Sequence, residues 1–176
     1  MERDANRLQL ALLIINDALT AQNVGDIDRA IELYEKSLEV CPTAEGYTYM
    51  GWALSKQGKI EEAIQYCHRA IEEDPEFGNP YNDIGVYMMN RNQLDDAIPW
   101  LERAKLARRY EPRHYPYLNL GKLYAARGEL KAATREWEAA VEVLEGYAIN
   151  EPGDDRVREE MEALEAAIEQ LDVKLN

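Results

Sequence analysis

Cysteine, histidine and serine each occur only twice in this 176-residue chain, and their scarcity removes most ways of doing chemistry. Cys41 and Cys67 are too few for a disulfide framework and form no C-x-x-C pair; two free thiols suit a reducing compartment. His68, His114, Ser37 and Ser55 supply no nucleophile–base set. No phosphate-cradling G-x-x-x-x-G-K, dinucleotide fingerprint or H-E-x-x-H is present. Cys67 and His68 are adjacent, but neighbours on a helix point about 100° apart and share a metal ion poorly. The expectation is therefore a chain with no enzymatic activity, no cofactor and no metal. Long apolar runs are also missing: the best stretch, Leu8 to Ile15, is broken by Gln9 and falls short of the roughly 18–20 residues of a membrane helix. The opening Met1-Glu2-Arg3-Asp4 is charged and carries no cleavage signal, so a cytoplasmic protein without membrane insertion is expected. Basic residues are outnumbered 20 to 34, for a formal charge of −14. Such a surface repels nucleic-acid phosphates and favours neutral or basic protein partners.

What the chain does contain is a repeat. Ala30, Ala63, Ala97 and Ala133 lie in similar surroundings at spacings of 33, 34 and 36 residues. A helix-ending glycine precedes three of them (Gly25, Gly58, Gly128), and Asn92 takes that place in the third copy as the next best left-handed exit. Pro42 and Pro75 stop the second helix of the first two copies. Gly51, Gly85 and Gly121 on the first helices, with Ala63, Ala97 and Ala133 on the second, let two antiparallel helices cross closely. Tyr47, Tyr81 and Tyr117 stand one turn before those glycines on the packing face. Ile60, Ile64 and Cys67 continue the apolar spacing, which makes Cys67 a core thiol. Pro80 and Pro116 fall in the first turn of first helices, and Pro99 near the start of a second helix, where a missing amide costs little. The carboxylates at Glu61-Glu62 and Asp95-Asp96 read as solvated helix starts.

These residues resemble the tetratricopeptide repeat consensus. The likeness is closest over 44–77, through Met50-Gly51, Lys56-Gln57-Gly58, Glu62-Ala63-Ile64, Ala70 and Asp74-Pro75. It continues in 114–147 through Asn119-Leu120-Gly121, Tyr124, Gly128, Ala133, Trp137 and Ala140, and in 78–113 through Tyr81, Gly85, Ala97 and Ala104. Residues 11–43 form a divergent first copy with Ala30, Tyr34 and Pro42, in which Asp17 falls where an apolar residue normally packs. Residues 1–10 lead into it. The resemblance implies an all-α, right-handed superhelical solenoid of antiparallel helix pairs. Residues 148–176 would close it with an acidic capping helix, started by Asp154 and striped by Val157, Met161, Leu164, Ile168, Leu171 and Leu175. That stripe also has the spacing of a coiled-coil seam.

The resemblance further implies a protein-binding scaffold or adaptor whose first helices line a concave groove. Alignment places Thr48, Trp52 and Lys56 in it from the second copy, Asn82, Val86 and Met89 from the third, and Tyr115, Leu118 and Lys122 from the fourth. Leu12, Ile15 and Leu19 follow from the first. Trp52 is the expected anchor. Relatives that grip acidic chaperone tails do so with lysines, asparagines and an arginine. Here those places carry Thr48, Trp52, Asp83, Tyr115 and Asn119, and Asp83 would repel a carboxylate. Alternative readings are a small acidic secretion or assembly chaperone of this type, holding a hydrophobic client, and a regulatory subunit of an enzyme. Two further surfaces stand out. Arg103, Lys105, Arg108, Arg109 and Arg113 form a basic island that either receives an acidic segment or pairs with acidic neighbours. The first helix carries Leu8, Leu10, Leu12, Leu13, Ile14, Ile15 and Leu19, so it needs cover on both sides. That cover would be the terminal helix folded back, a partner, or a second copy meeting it through Leu8, Leu12, Ile15 or the C-terminal stripe.

Overall fold

The computed structural model describes residues 2–150 and 153–175, and all its regular elements are helices. They follow one another as α1 (Glu2–Asn23), α2 (Ile27–Val40), α3 (Ala44–Lys56), α4 (Ile60–Glu73), α5 (Asn79–Asn90), α6 (Leu94–Leu106), α7 (Tyr115–Ala126), α8 (Leu130–Asn150) and α9 (Asp155–Leu175). Each odd helix packs on the next even one, and each pair stacks on the following pair, giving an all-α solenoid. Left-handed residues make the turns inside the pairs: Gly25, Gly58 and Gly128 have φ of 86°, 78° and 77°, and Asn92 does the same work at 61°. Asp26 and Thr43 cap α2 and α3 by accepting the Arg29 and Gly46 amides.

The crossing within a pair depends on a missing side chain. A Cβ on Gly51 would lie 2.9 Å from the Ala63 carbonyl oxygen. On Gly85 it would meet Leu101 at 2.6 Å, and on Gly121 the Trp137 ring at 2.1 Å. The space left by glycine is thus filled mainly by the residue one turn beyond the small alanine: Cys67, Leu101 or Trp137. Twelve residues before Ala30, at the spacing of the other three pairs, stands Ala18, which is fully buried. The first pair is therefore in register. Asp17 sits at the place of Met50, Ile84 and Leu120, and each of those is buried with the preceding pair: Met50 with Ala30 and Tyr34, Ile84 with Ala63 and Cys67, Leu120 with Ala97 and Leu101. Among the described residues no helix precedes α1, so Asp17 is solvated and the same place tolerates a charge.

Successive pairs are also tied by one repeated contact. Gln57 Nε2 donates to Asp28 Oδ1 at 2.6 Å, and Arg91 and Arg127 pair with Glu61 and Asp95 at the equivalent places. Each joins the end of a first helix to the opening turn of the second helix before it, where a carboxylate also suits the helix dipole. Pro99 departs from expectation. It lies in the interior of α6 and not in its first turn, so the Asp95 carbonyl loses its helical partner.

At the far end, α9 starts on Asp154, whose carboxylate accepts the Arg156 amide at 3.0 Å. Val157, Met161, Leu164, Ile168 and Leu171 pack with Trp137, Ala140 and Leu144 of α8, while the Leu175 side chain lies outside the described residues. The stripe packs within the chain, with Leu164 and Leu171 buried and Val157, Met161 and Ile168 half-buried. Helix α9 does not fold back on α1: it packs on α8, at the opposite end of the stack.

Candidate protein-binding surface

Equivalent places on the first helices form rows across the solenoid. One row, Ile15, Thr48, Asn82 and Leu118, runs along the seams where successive first helices meet. Ile15, Thr48 and Asn82 are 3%, 2% and 9% exposed, so they are not an open groove wall. The Thr48 hydroxyl donates to the Ala44 carbonyl at 2.7 Å, and Asn82 accepts from the Asn119 side chain at 2.9 Å across the α5–α7 seam. The groove assignments of Ile15, Thr48 and Asn82 are corrected accordingly, and Ile15 cannot face a second copy. The neighbouring row, Leu19, Trp52, Val86 and Lys122, is half-buried or open. Trp52 is half-buried, and the Lys56 ammonium stands 4.5 Å from the centre of its ring. Met89 and Leu118 are half-buried, Tyr115 is exposed, and Leu12 is 40% exposed.

A third row, Tyr49, Asp83 and Asn119, supplies the polar centre. Asp83 keeps a margin of exposed surface, yet burial pushes its carboxyl up to about 7, against the lowering pull of a hydrogen bond from the Asn82 side chain. No cation among the described residues forms an ion pair with it. Beneath it, Cys67 is fully buried, and burial raises its thiol well above the ordinary range. The thiol is a packing group.

The basic island is engaged inside the chain. Lys105 is 3.0 Å from Glu136 and 3.2 Å from Glu102, and stands over the Tyr117 ring. Arg109 pairs with Asp74 at 2.6 Å and with Glu45, and covers the Phe77 ring at 4.2 Å. Arg108 faces Glu76 at 3.5 Å, Arg113 donates to the Arg108 carbonyl at 2.6 Å, and Arg103 lies over Tyr81. Of the two readings of this segment, the geometry supports pairing. Two backbone bonds, from the Arg109 amide to Glu76 and from the Gly78 amide to Arg109, each 2.9 Å, stitch it to the α4–α5 turn. Tyr110 lies against Gly78, where a Cβ would come within 2.5 Å of its side chain. Sequence reasoning missed this lock; the unusual Gly78 before Pro80 was its only trace.

A repeated helix pair, small residues at each crossing and an open row of first-helix side chains define a helical-repeat protein. Two tetratricopeptide repeat models match, one over residues 16–43 and one over 44–77, so the first two helix pairs are repeats of that family. The match includes most of the first pair, in agreement with Ala18 and Ala30 at its crossing. The photosystem I assembly protein Ycf3 of Synechococcus sp. (strain CC9902) is 30% identical over an alignment of 109 residues that covers 56% of this chain and 63% of that protein. The chain therefore spans about 63% of the length of that relative. Among solved structures, pilF of Pseudomonas aeruginosa superposes with a TM-score of 0.74 at 19% identity, covering 94% of this chain and 72% of that one. The first repeat domain of Spaghetti (RPAP3), solved with the HSP90 peptide SRMEEVD, gives a TM-score of 0.60 at 21% identity, over 68% of this chain and 94% of that one. At these identities the two structures establish the fold. Among the described residues no helix is long and apolar enough to cross a membrane.

Proposed function

We propose that this protein is a non-enzymatic scaffold or adaptor that binds an extended or helical segment of a partner protein across the open faces of its first helices. One observation carries the reading: Leu19, Trp52, Val86 and Lys122 occupy the same place on the first helices of four successive pairs and stay accessible, with an aromatic anchor among them. An anchor of this kind dominates binding energy, and micromolar affinity is the expected scale. Asp83, without a cation of its own, and the net charge of −14 favour a neutral or basic partner over an acidic one. They also disfavour nucleic acid. The peptide held by the Spaghetti domain and the assembly role named for the Synechococcus relative both support protein binding as the task.

A second reading, an assembly or secretion chaperone for a hydrophobic client, is favoured by Leu8, Leu10, Leu12 and Leu13, which are 40–57% exposed on α1. A cytoplasmic location fits either. The deciding experiment captures partners from native lysate on immobilised wild type beside Trp52→Ala. A protein retained by wild type and lost by the variant supports the adaptor. Identical capture by both removes the first-helix row from the site. Retention of a single unfolded client that Leu12→Glu releases instead favours the chaperone.

A further inference from the structure

The cleft between α7 and α9 lies beside the first-helix row and meets it at Lys122. Elsewhere in the solenoid consecutive first helices touch: α1 with α3, α3 with α5, α5 with α7. The fifth place in that row belongs to α9, which packs on α8 without reaching α7. The cause is the length of α8: at 21 residues, against 13 or 14 for α2, α4 and α6, it carries the start of α9 outward. The gap holds two cavities of about 800 and 280 Å³, and both are lined by His114, Glu160 and Ala163.

The two chambers differ in chemistry. The larger is lined by the carboxylates of Glu159 and Glu160, by Glu111 paired with Arg113 at 3.5 Å and by Asp154 paired with Arg156 at 3.0 Å, with the Tyr115 and Tyr147 rings beside them. Carboxylates and ring faces together attract a cation. The smaller is lined by Leu118, Trp137, Leu164 and the methyls of Ala163 and Ala167, with Lys122 and Glu160 also on its wall. It is shaped for an apolar side chain. His114 sits at their junction, 4% exposed. Its Nε2 is 3.0 Å from Glu160, and its buried Nδ1 has no hydrogen-bond partner among the described residues. Its ring forms part of the wall between the two chambers.

We propose that the α7–α9 cleft is a second binding site, for a protein segment in which a basic side chain lies close to a large apolar one. The cation enters the outer chamber, the apolar side chain fills the inner one, and the intervening backbone meets His114. The site shares α7 with the first-helix row but stands or falls without Trp52.

The test is calorimetry on the full chain with three blocked hexapeptides. One has arginine two residues before leucine, one replaces that arginine with glutamate, and one replaces that leucine with alanine. The arginine–leucine peptide is expected to bind with a Kd of roughly tens of micromolar, and each replacement to weaken it about tenfold or more. Ala163→Arg, which fills the cleft from an exposed position on α9, abolishes binding. Glu159→Lys, also exposed, weakens it about tenfold without touching the apolar chamber, so a fold defect in the first variant does not blunt the test. Trp52→Ala leaves the affinity unchanged. Equal binding of the three peptides, survival of binding in both cleft variants, or loss in Trp52→Ala would each overturn the proposal. So would a concentration-dependent doubling of mass that Ala163→Arg abolishes, since the occupant would then be a second copy. Loss of lysate partners in Trp52→Ala bears only on the first-helix row.

Discussion

Single residues in this solenoid carry opposite signs of the same physics. Asp83 has a folded pKa of about 7 because burial disfavours its charge, whereas an unfolded aspartate titrates near 3.9. The folded chain keeps a proton that the unfolded chain releases. Asp83 therefore contributes fully below about pH 3.9, and that contribution is lost as pH rises through about 7. Asp83→Asn should gain stability over wild type between pH 4 and 7 and hold a constant lead above about 8. The lead should be on the order of 2 kcal/mol, less than the full shift implies because the carboxyl keeps a solvated edge. His114 runs the other way, since burial lowers its pKa against the pull of Glu160 and Glu111. It is present in both proteins and cancels in the difference. Urea melts at pH 4.5, 6 and 8 decide the matter, and a pH-independent difference would mean that the carboxylate stays charged throughout. Glycines divide in the same manner. Gly121→Ala would drive a Cβ into the Trp137 ring and strain its 3.2 Å bond to the Leu118 carbonyl, costing about 2–3 kcal/mol. Gly146, inside α8 with nothing within 4 Å, should gain about 0.5–1 kcal/mol as alanine. Thermal melts of the two variants should move in opposite directions.

At the scale of helices, the sequence is most legible where structure is local and repeated. Gly25, Gly58, Asn92 and Gly128 mark left-handed exits that any copy of the motif needs, and the stripe of α9 reads directly as a buried face. Asp17 misled because its place is defined by a neighbour, not by its own helix: it is buried only when another pair precedes it. Thr48 and Asn82 misled for a related reason, since the superhelical approach of successive first helices turns an aligned groove position into a seam. The lock of Arg109, Phe77, Gly78 and Tyr110 occurs once, so no periodicity announces it. The splay of α9 depends on how far α8 continues, which composition does not encode. Pro99 offers a test at this scale. Its ring sits in the interior of α6 and leaves the Asp95 carbonyl without a helical partner. Because Pro99 is exposed, Pro99→Ala should restore that bond without disturbing the core, raising stability by about 1–3 kcal/mol. An unchanged or lower denaturation midpoint would mean that the Pro99 ring stabilises α6 as much as the missing hydrogen bond costs.

For the whole molecule, the two ends of the stack, among the described residues, present different faces. At the α1 end, the places buried in later pairs hold Leu10, Leu13, Asp17 and Thr20, all solvent-exposed, with two polar residues interrupting the apolar face. At the α8 end, the equivalent surface is covered by α9, which shields Trp137, Ala140 and Leu144 through Leu164 and Leu171. Stability in a stack of pairs is close to a sum of pair and interface contributions, so the cost of removing a neighbour depends on the face it leaves bare. Ending the chain after Asn150 should strip that cover, lower the melting temperature and promote aggregation, because an apolar face that is normally packed meets water. Leu13→Glu, at a position already 57% exposed, should leave stability within about 0.5 kcal/mol of wild type. Paired melts and light scattering separate the cases. A truncated chain as stable and monomeric as the full one would show that α9 is retained for the cleft it forms with α7 and not for the core it covers. A large loss in Leu13→Glu would show that the α1 face is already occupied in solution.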